Sequence, residues 1–135
     1  MKYFFTLKGE KSEQLYRVVG FARGSSELNP QQKVALEAAV VHKVYGNFAV
    51  NGAASTIYLT GTHSEPGSAA ANAYLAGLRA LSVKKFLLSK MLHFPESRVI
   101  ARGSSVVPEI DPAITAGLSS IDFYQRAVEI RVTHH

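Results

Sequence analysis

The stretch Thr56-Ile57-Tyr58-Leu59-Thr60-Gly61-Thr62-His63-Ser64-Glu65-Pro66-Gly67-Ser68 changes character partway through. Its first five residues are β-branched, aromatic or aliphatic, the composition of a strand. Gly61 to Gly67 are turn formers and polar residues, which predict a loop. From Ser68 to Met91 the chain is rich in Ala, Leu and Lys, with Val83, Phe86, Leu87 and Met91 spaced on one helical face. A strand, a loop and a long helix are therefore expected in that order.

On the N-terminal side, Leu15 to Ala22 reads as a strand that closes at Gly24-Ser25-Ser26, and Tyr3 to Leu7 as an edge strand before it. Asn29 is a helix cap with Pro30 in the first turn, and Gln31 to Val44 follows with Val34, Ala38, Val41 and Val44 or Tyr45 on one face. Gly46 is a stop signal. Asn51-Gly52 is a tight-turn dipeptide, so residues 47–55 read as a small hairpin or a longer loop.

On the C-terminal side, Phe94-Pro95-Glu96 breaks the long helix, and Ser97 to Ala101 predicts a short strand. Pro108, Pro112 and Gly117 allow at most one short helical turn between Val107 and Ser120. Phe123 to Thr133 then reads as a last strand with Val128, Ile130 and Val132 alternating. The order predicts an α+β fold in the pattern β-α-β-α-β-β, one mixed sheet with helices packed on one face. Residues 1–135 are expected to form one domain, with 1–14 an edge strand or extension and 15–133 the core.

Composition narrows the function. With 47% hydrophobic and 19% charged residues among 135, a packed globular domain is expected. The absence of cysteine removes thiolate catalysis and Cys-based zinc sites. The apolar start Met1 to Phe5 is ended by Lys8, Glu10 and Lys11, short of a signal segment, and no apolar run approaches a membrane span. A domain acting outside the cytoplasm is then expected to come from a longer chain. The charge of +5 is scattered, with Lys84-Lys85 the only adjacent basic pair, so no nucleic-acid partner is expected.

The pentapeptide Ala-Arg-Gly-Ser-Ser occurs at Ala22–Ser26 and again at Ala101–Ser105, each time at an expected strand exit. Two such turns have the makings of an anion-binding nest, although shared turn chemistry and coincidence explain the repeat more easily.

Several blocks in order resemble one family. Ser25-Ser26-Glu27-Leu28-Asn29-Pro30 matches a Ser-x-x-Leu-x-Pro signature. Gly61-Thr62-His63-Ser64 stands where the family has Gly-His-Thr-Asp, followed by Gly67, Asn72, Leu75 and Arg79-Ala80 at corresponding places. Ser97-Arg98-Val99-Ile100 with Gly103 and Pro108 follows, and Gln125-Arg126-Ala127-Val128-Glu129-Ile130 resembles the closing Asn-Arg-Arg-Val-Glu-Ile. From about Tyr16 onward the chain resembles OmpA-like domains, whose relatives include porin tails, the peptidoglycan-associated lipoprotein, flagellar stator proteins and parts of secretion machines. The resemblance implies a periplasmic, outer-membrane-associated domain that binds the diaminopimelate stem peptide of peptidoglycan and other envelope proteins, with no enzymatic activity and no cofactor.

In that family an Asp and an Arg grip diaminopimelate, the carboxylate facing the ammonium and the guanidinium facing the carboxylate. Carried over by position, the Arg is Arg79 and the Asp becomes Ser64, the two lying at the family's spacing. The implied site is Gly61, His63, Ser64, Glu65, Asn72, Arg79 and Arg126. Three outcomes follow from Ser64: Glu65 supplies the missing carboxylate, the hydroxyl supports weaker binding, or the fold persists as a scaffold in a larger envelope assembly. Read without the family, Arg79 is a solvated helix charge, Asn72 a local polar contact, His63 a surface histidine and Arg126 a structural ion-pair partner. His42, His63 and His93 show no metal-ligand spacing, and no nucleophile elbow, paired acid or phosphate loop stands out.

Overall fold

The computed structural model describes residues 2–7, 9, 13–52, 55–64, 67–104 and 121–134. Strands β1 (Phe4–Leu7) and β2 (Glu13–Val19) precede helices α1 (Pro30–Leu36) and α2 (His42–Asn51), which join through a π-helical stretch at Glu37–Val41. Strand β3 (Thr56–Gly61), helix α3 (Ala69–Lys90), strand β4 (Val99–Gly103), a short helix α4 (Ile121–Gln125) and strand β5 (Ala127–Thr133) complete the order. The sheet runs β1-β2-β5-β3-β4. Only β3 and β4 are parallel; the other neighbours are antiparallel, so the sheet is mixed.

Alternation decides which face the long helices cover. Tyr16 and Val18 of β2, Ile57 and Leu59 of β3, Val99 of β4, and Val128, Ile130 and Val132 of β5 all enter one core. Leu36, Val40, Val41 and Val44 from the first helical run and Val83 and Leu87 from α3 close over them. Each large aliphatic side chain buried this way contributes roughly 1.5–3 kcal/mol. The opposite face begins with Leu15, Arg17 and Val19, and α4 packs at its end, where Phe123 and Tyr124 join Val19 and Ala127 in a second, smaller cluster.

The helix starts follow their capping residues. Asn29 Oδ1 accepts from the Gln32 amide at 2.8 Å while Gln32 Oε1 accepts from the Asn29 amide at 2.8 Å, a reciprocal cap. Gln32 Nε2 also donates to Val19 O at 2.7 Å, which explains why this polar residue is buried. Ser68 Oγ accepts from the Ala71 amide at 3.1 Å at the head of α3, a contact worth about 1 kcal/mol.

Four local expectations need correction. Gly46 does not stop the first helical run, which continues to Asn51. The Asn51-Gly52 dipeptide is the helix end instead of a hairpin turn: Gly52 has φ 68° and its amide donates to Phe48 O at 2.8 Å. The inward face is Gln32, Leu36, Val40, Val41 and Val44, leaving Val34 and Ala38 exposed. The π-helical stretch, in which the His42 amide donates to Glu37 O, inserts a residue and resets the periodicity. The last strand begins at Ala127, because Phe123 and Tyr124 turn as a helix to pack on Val19. Strand β2 ends at Val19 and β4 begins at Val99, both within a few residues of expectation. The loop expected over 107–120 lies outside the described residues.

Candidate functional site

Three chain segments meet at one end of the sheet: the turn Phe21–Ser25 after β2, residues 62–64 after β3, and Gln125–Ala127 at the start of β5. Backbone bonds stitch them together. The Phe21 amide donates to Arg126 O at 3.1 Å and the Thr62 amide to Ala127 O at 2.8 Å. Helix α3 crosses above, and its approach is set by glycines. A Cβ on Gly61 would lie 1.7 Å from Ala76 O, and one on Gly103 would lie 2.2 Å from Ala73 O. No side chain fits there, so the structure gives Gly61 a packing role at the sheet end.

That close approach carries Asn72, Ala76, Arg79, Ala80, Val83 and Leu87 onto the buried face of α3. Arg79 is 0% exposed. Its Nε donates to Ser25 O at 2.9 Å, Nη1 to Thr62 O at 3.0 Å and Nη2 to Ala22 O at 3.2 Å, and the guanidinium lies 5.6 Å from the Phe21 ring centre. The planar fork with several donors lets one side chain hold three carbonyls on two segments. Arg79 is therefore a clamp between the Phe21–Ser25 turn and the exit of β3.

Arg126 is half-buried at the same corner. Its Nε donates to Phe21 O at 2.6 Å and its Nη1 to Ser64 Oγ at 3.4 Å. Ser64 is half-buried, His63 is buried, and Asn72 is buried two turns before Arg79 on the same helix face. The structure thus brings Gly61, His63, Ser64, Arg79 and Arg126 to one corner, with Asn72 on the helix face that covers it. Glu65 lies outside the described residues.

Two residues were missed by sequence reasoning. Thr62 is buried, its Oγ donates to Gln125 O at 2.6 Å, and it accepts from Arg17 Nη2 at 2.7 Å. Arg17 lies on the sheet face opposite the long helices, 1% exposed, with Nε donating to Tyr124 O at 3.3 Å and its guanidinium 4.7 Å from the Tyr124 ring centre. Its ion partner is Glu129, 3.7 Å away and directly across the strand pair. Burial pulls the Arg17 pKa below its usual value, while Tyr124 and Glu129 push it back up; a guanidinium nevertheless stays protonated. Residue 62 is thus held by Arg79 on its carbonyl from the helix side and by Arg17 on its hydroxyl from the open side. The only signal in the sequence was a lone Arg within Tyr16-Arg17-Val18-Val19, which strand alternation reads as a solvent-facing position.

The repeated pentapeptide adopts two conformations. At Ala22–Ser26 it is a turn, with the Ser25 amide donating to Ala22 O at 3.0 Å and Gly24 at φ 68°, whereas Ala101 to Gly103 lie inside β4. Over the described residues the two copies do not match, and Ser105 lies outside them. Among the described residues no group of three or more His, Asp or Glu side chains is placed to hold a metal ion, and no helix is long and apolar enough to cross a membrane.

The family model of the OmpA family matches residues 20–115, which include the turn, the β3 exit and all of α3. The chain belongs to the OmpA family. Solved structures share the fold at low identity. The peptidoglycan-associated lipoprotein from Burkholderia pseudomallei is 16% identical, with a TM-score of 0.64 over 91% of this chain and 91% of that one. The cell wall anchor of the T6SS from Pseudomonas aeruginosa is 16% identical, with a TM-score of 0.63 over 98% of this chain and 89% of that one. A periplasmic domain of Helicobacter pylori MotB is 13% identical, with a TM-score of 0.63 over 96% and 82%. A search among curated proteins finds no match.

Proposed function

We propose that this OmpA-family domain is a non-catalytic periplasmic module that anchors an envelope protein or complex to peptidoglycan at the outer membrane. Its ligand in this reading is the diaminopimelate-bearing stem peptide, met at the corner where β3 ends. The observation that carries the reading is the half-buried Arg126 guanidinium beside the Ser64 hydroxyl. Diaminopimelate presents both carboxylate and ammonium groups, and a guanidinium fork suits the first. Ser64 Oγ accepts from the second without a full charge, which weakens the contact by about 1 kcal/mol or more relative to a carboxylate. Arg79 works from behind by fixing the loop, and Asn72, His63 and Gly61 shape the corner.

Co-sedimentation with purified diaminopimelate-containing sacculi tests the reading. The domain is expected in the pellet, with Arg126→Ala released and Ser64→Asp retained more tightly. A wild-type domain left in the supernatant at every sacculus concentration would sink it.

A second reading has its own support. Arg79 is fully buried with all three nitrogens on backbone carbonyls, so the helix arginine acts as structure, and the fold would then serve as a scaffold for protein partners in a secretion or motor assembly. A folded wild-type domain that sacculi do not retain would favour this second reading.

A further inference from the structure

Helix α3 is apolar on two opposite faces. One is the buried stripe from Asn72 to Leu87. On the other side, Tyr74, Leu78, Leu81 and Lys85 follow one another at steps of four, three and four residues, the spacing that keeps side chains on one line of a helix. Tyr74 is 71% exposed, Leu81 37% exposed and Leu78 half-buried. Aligned exposed apolar residues differ from the scattered ones that any surface carries.

Charge points to the occupant. All the charged residues of α3, Arg79, Lys84, Lys85 and Lys90, are basic. Lys84 and Lys90 reach acids on other elements, Glu96 at 3.1 Å and Glu37 at 4.0 Å. Lys85 belongs both to the exposed line and to a neighbouring groove that it lines with Lys33, Leu28, Ser82, Phe86 and Glu27. The surface is therefore an apolar ridge beside a mainly basic rim. A second copy placed face to face would set this rim against an identical one, which like charges oppose.

We propose that the outward face of α3 docks an acidic amphipathic helix of a partner protein, its apolar residues at heptad spacing on Tyr74, Leu78 and Leu81 and its acids on Lys85 and Lys33. This surface is separate from the corner at Ser64 and Arg126, so it does not depend on peptidoglycan binding.

The probes are two synthetic three-heptad peptides with leucine at the seam positions, one flanked by glutamate and the other by lysine, titrated into the labelled domain and followed by fluorescence anisotropy. The acidic peptide is expected to saturate and the basic one not. Leu81→Ser should weaken the acidic peptide at least about ten-fold, as loss of an interface anchor does, and Lys85→Glu should shift preference toward the basic peptide. Both substitutions are at exposed positions, and unchanged circular dichroism confirms the fold. Absence of saturation at millimolar peptide overturns the proposal, as does equal binding of both peptides. Sedimentation velocity supplies the remaining check: a dimer that Leu81→Ser dissolves would assign the face to a second copy and also overturn it.

Discussion

Arg79 and Arg17 hold the same residue from opposite sides of the sheet, yet their surroundings differ. Arg79 stands on a 22-residue helix and meets three backbone carbonyls that belong to two loops. Arg17 stands on a strand and meets one carbonyl, one hydroxyl, an aromatic face and the 44% exposed Glu129. The helix-side clamp ties together segments far apart in the chain, so its loss strips the buried Thr62 carbonyl of its guanidinium and unfastens the Phe21–Ser25 turn from the helix. The open-side clamp shares its work with a solvated carboxylate and a ring, so its loss is partly compensated. A buried arginine need not be a ligand group; what it holds decides its role.

Five substitutions test that difference. Arg79→Met is expected to cost about 3–5 kcal/mol or to prevent folding, since the buried Thr62 carbonyl and the part-buried Ser25 and Ala22 carbonyls lose the guanidinium at once. Arg17→Met should cost less, about 2–3 kcal/mol, and Arg17→Lys should recover little, because one ammonium cannot reproduce both fork contacts and the stacking on Tyr124. All three are read from urea midpoints at unchanged slope. Equal losses at the two arginines would contradict the difference between the two clamps. Thr62→Val keeps the volume but deletes the hydroxyl between Arg17 and Gln125 O, for an expected loss of about 1–2 kcal/mol, with faster amide exchange at His63 and Ser64. Arg23→Ala removes the exposed pair with Asp122 at 2.8 Å, and thermal melting should shift by less than about 1 kcal/mol of stability.

Much of the fold was legible in the sequence because period and capping agree along most of the chain. Val83, Leu87 and, just past α3, Met91 followed from helical spacing, while Phe86 of the same expected face is half-buried; Val128, Ile130 and Val132 followed from alternation. Reading failed where tertiary contacts override a local signal. Asn51-Gly52 favours a turn, but a Gly in the left-handed region also ends a helix, and the dipeptide alone does not distinguish the two. The π-helical stretch shifted the buried face away from Val34, and the cluster around Val19 drew Phe123 and Tyr124 into a helical turn. At the site, the positions Gly61, His63, Ser64, Asn72, Arg79 and Arg126 were found through family blocks. Their division of labour was not, since only three-dimensional contacts separate Arg79, buried on carbonyls, from Arg126, half-buried at Ser64.

The most direct measurement is an NMR titration of a diaminopimelate-containing stem-peptide muropeptide into the labelled domain, with Arg126→Ala as control. Saturable shifts at the Thr62, His63 and Ser64 amides and at the Arg126 side-chain N–H, lost in Arg126→Ala, are the expected result. Unchanged spectra at millimolar ligand would contradict the peptidoglycan reading and leave the corner as structure alone.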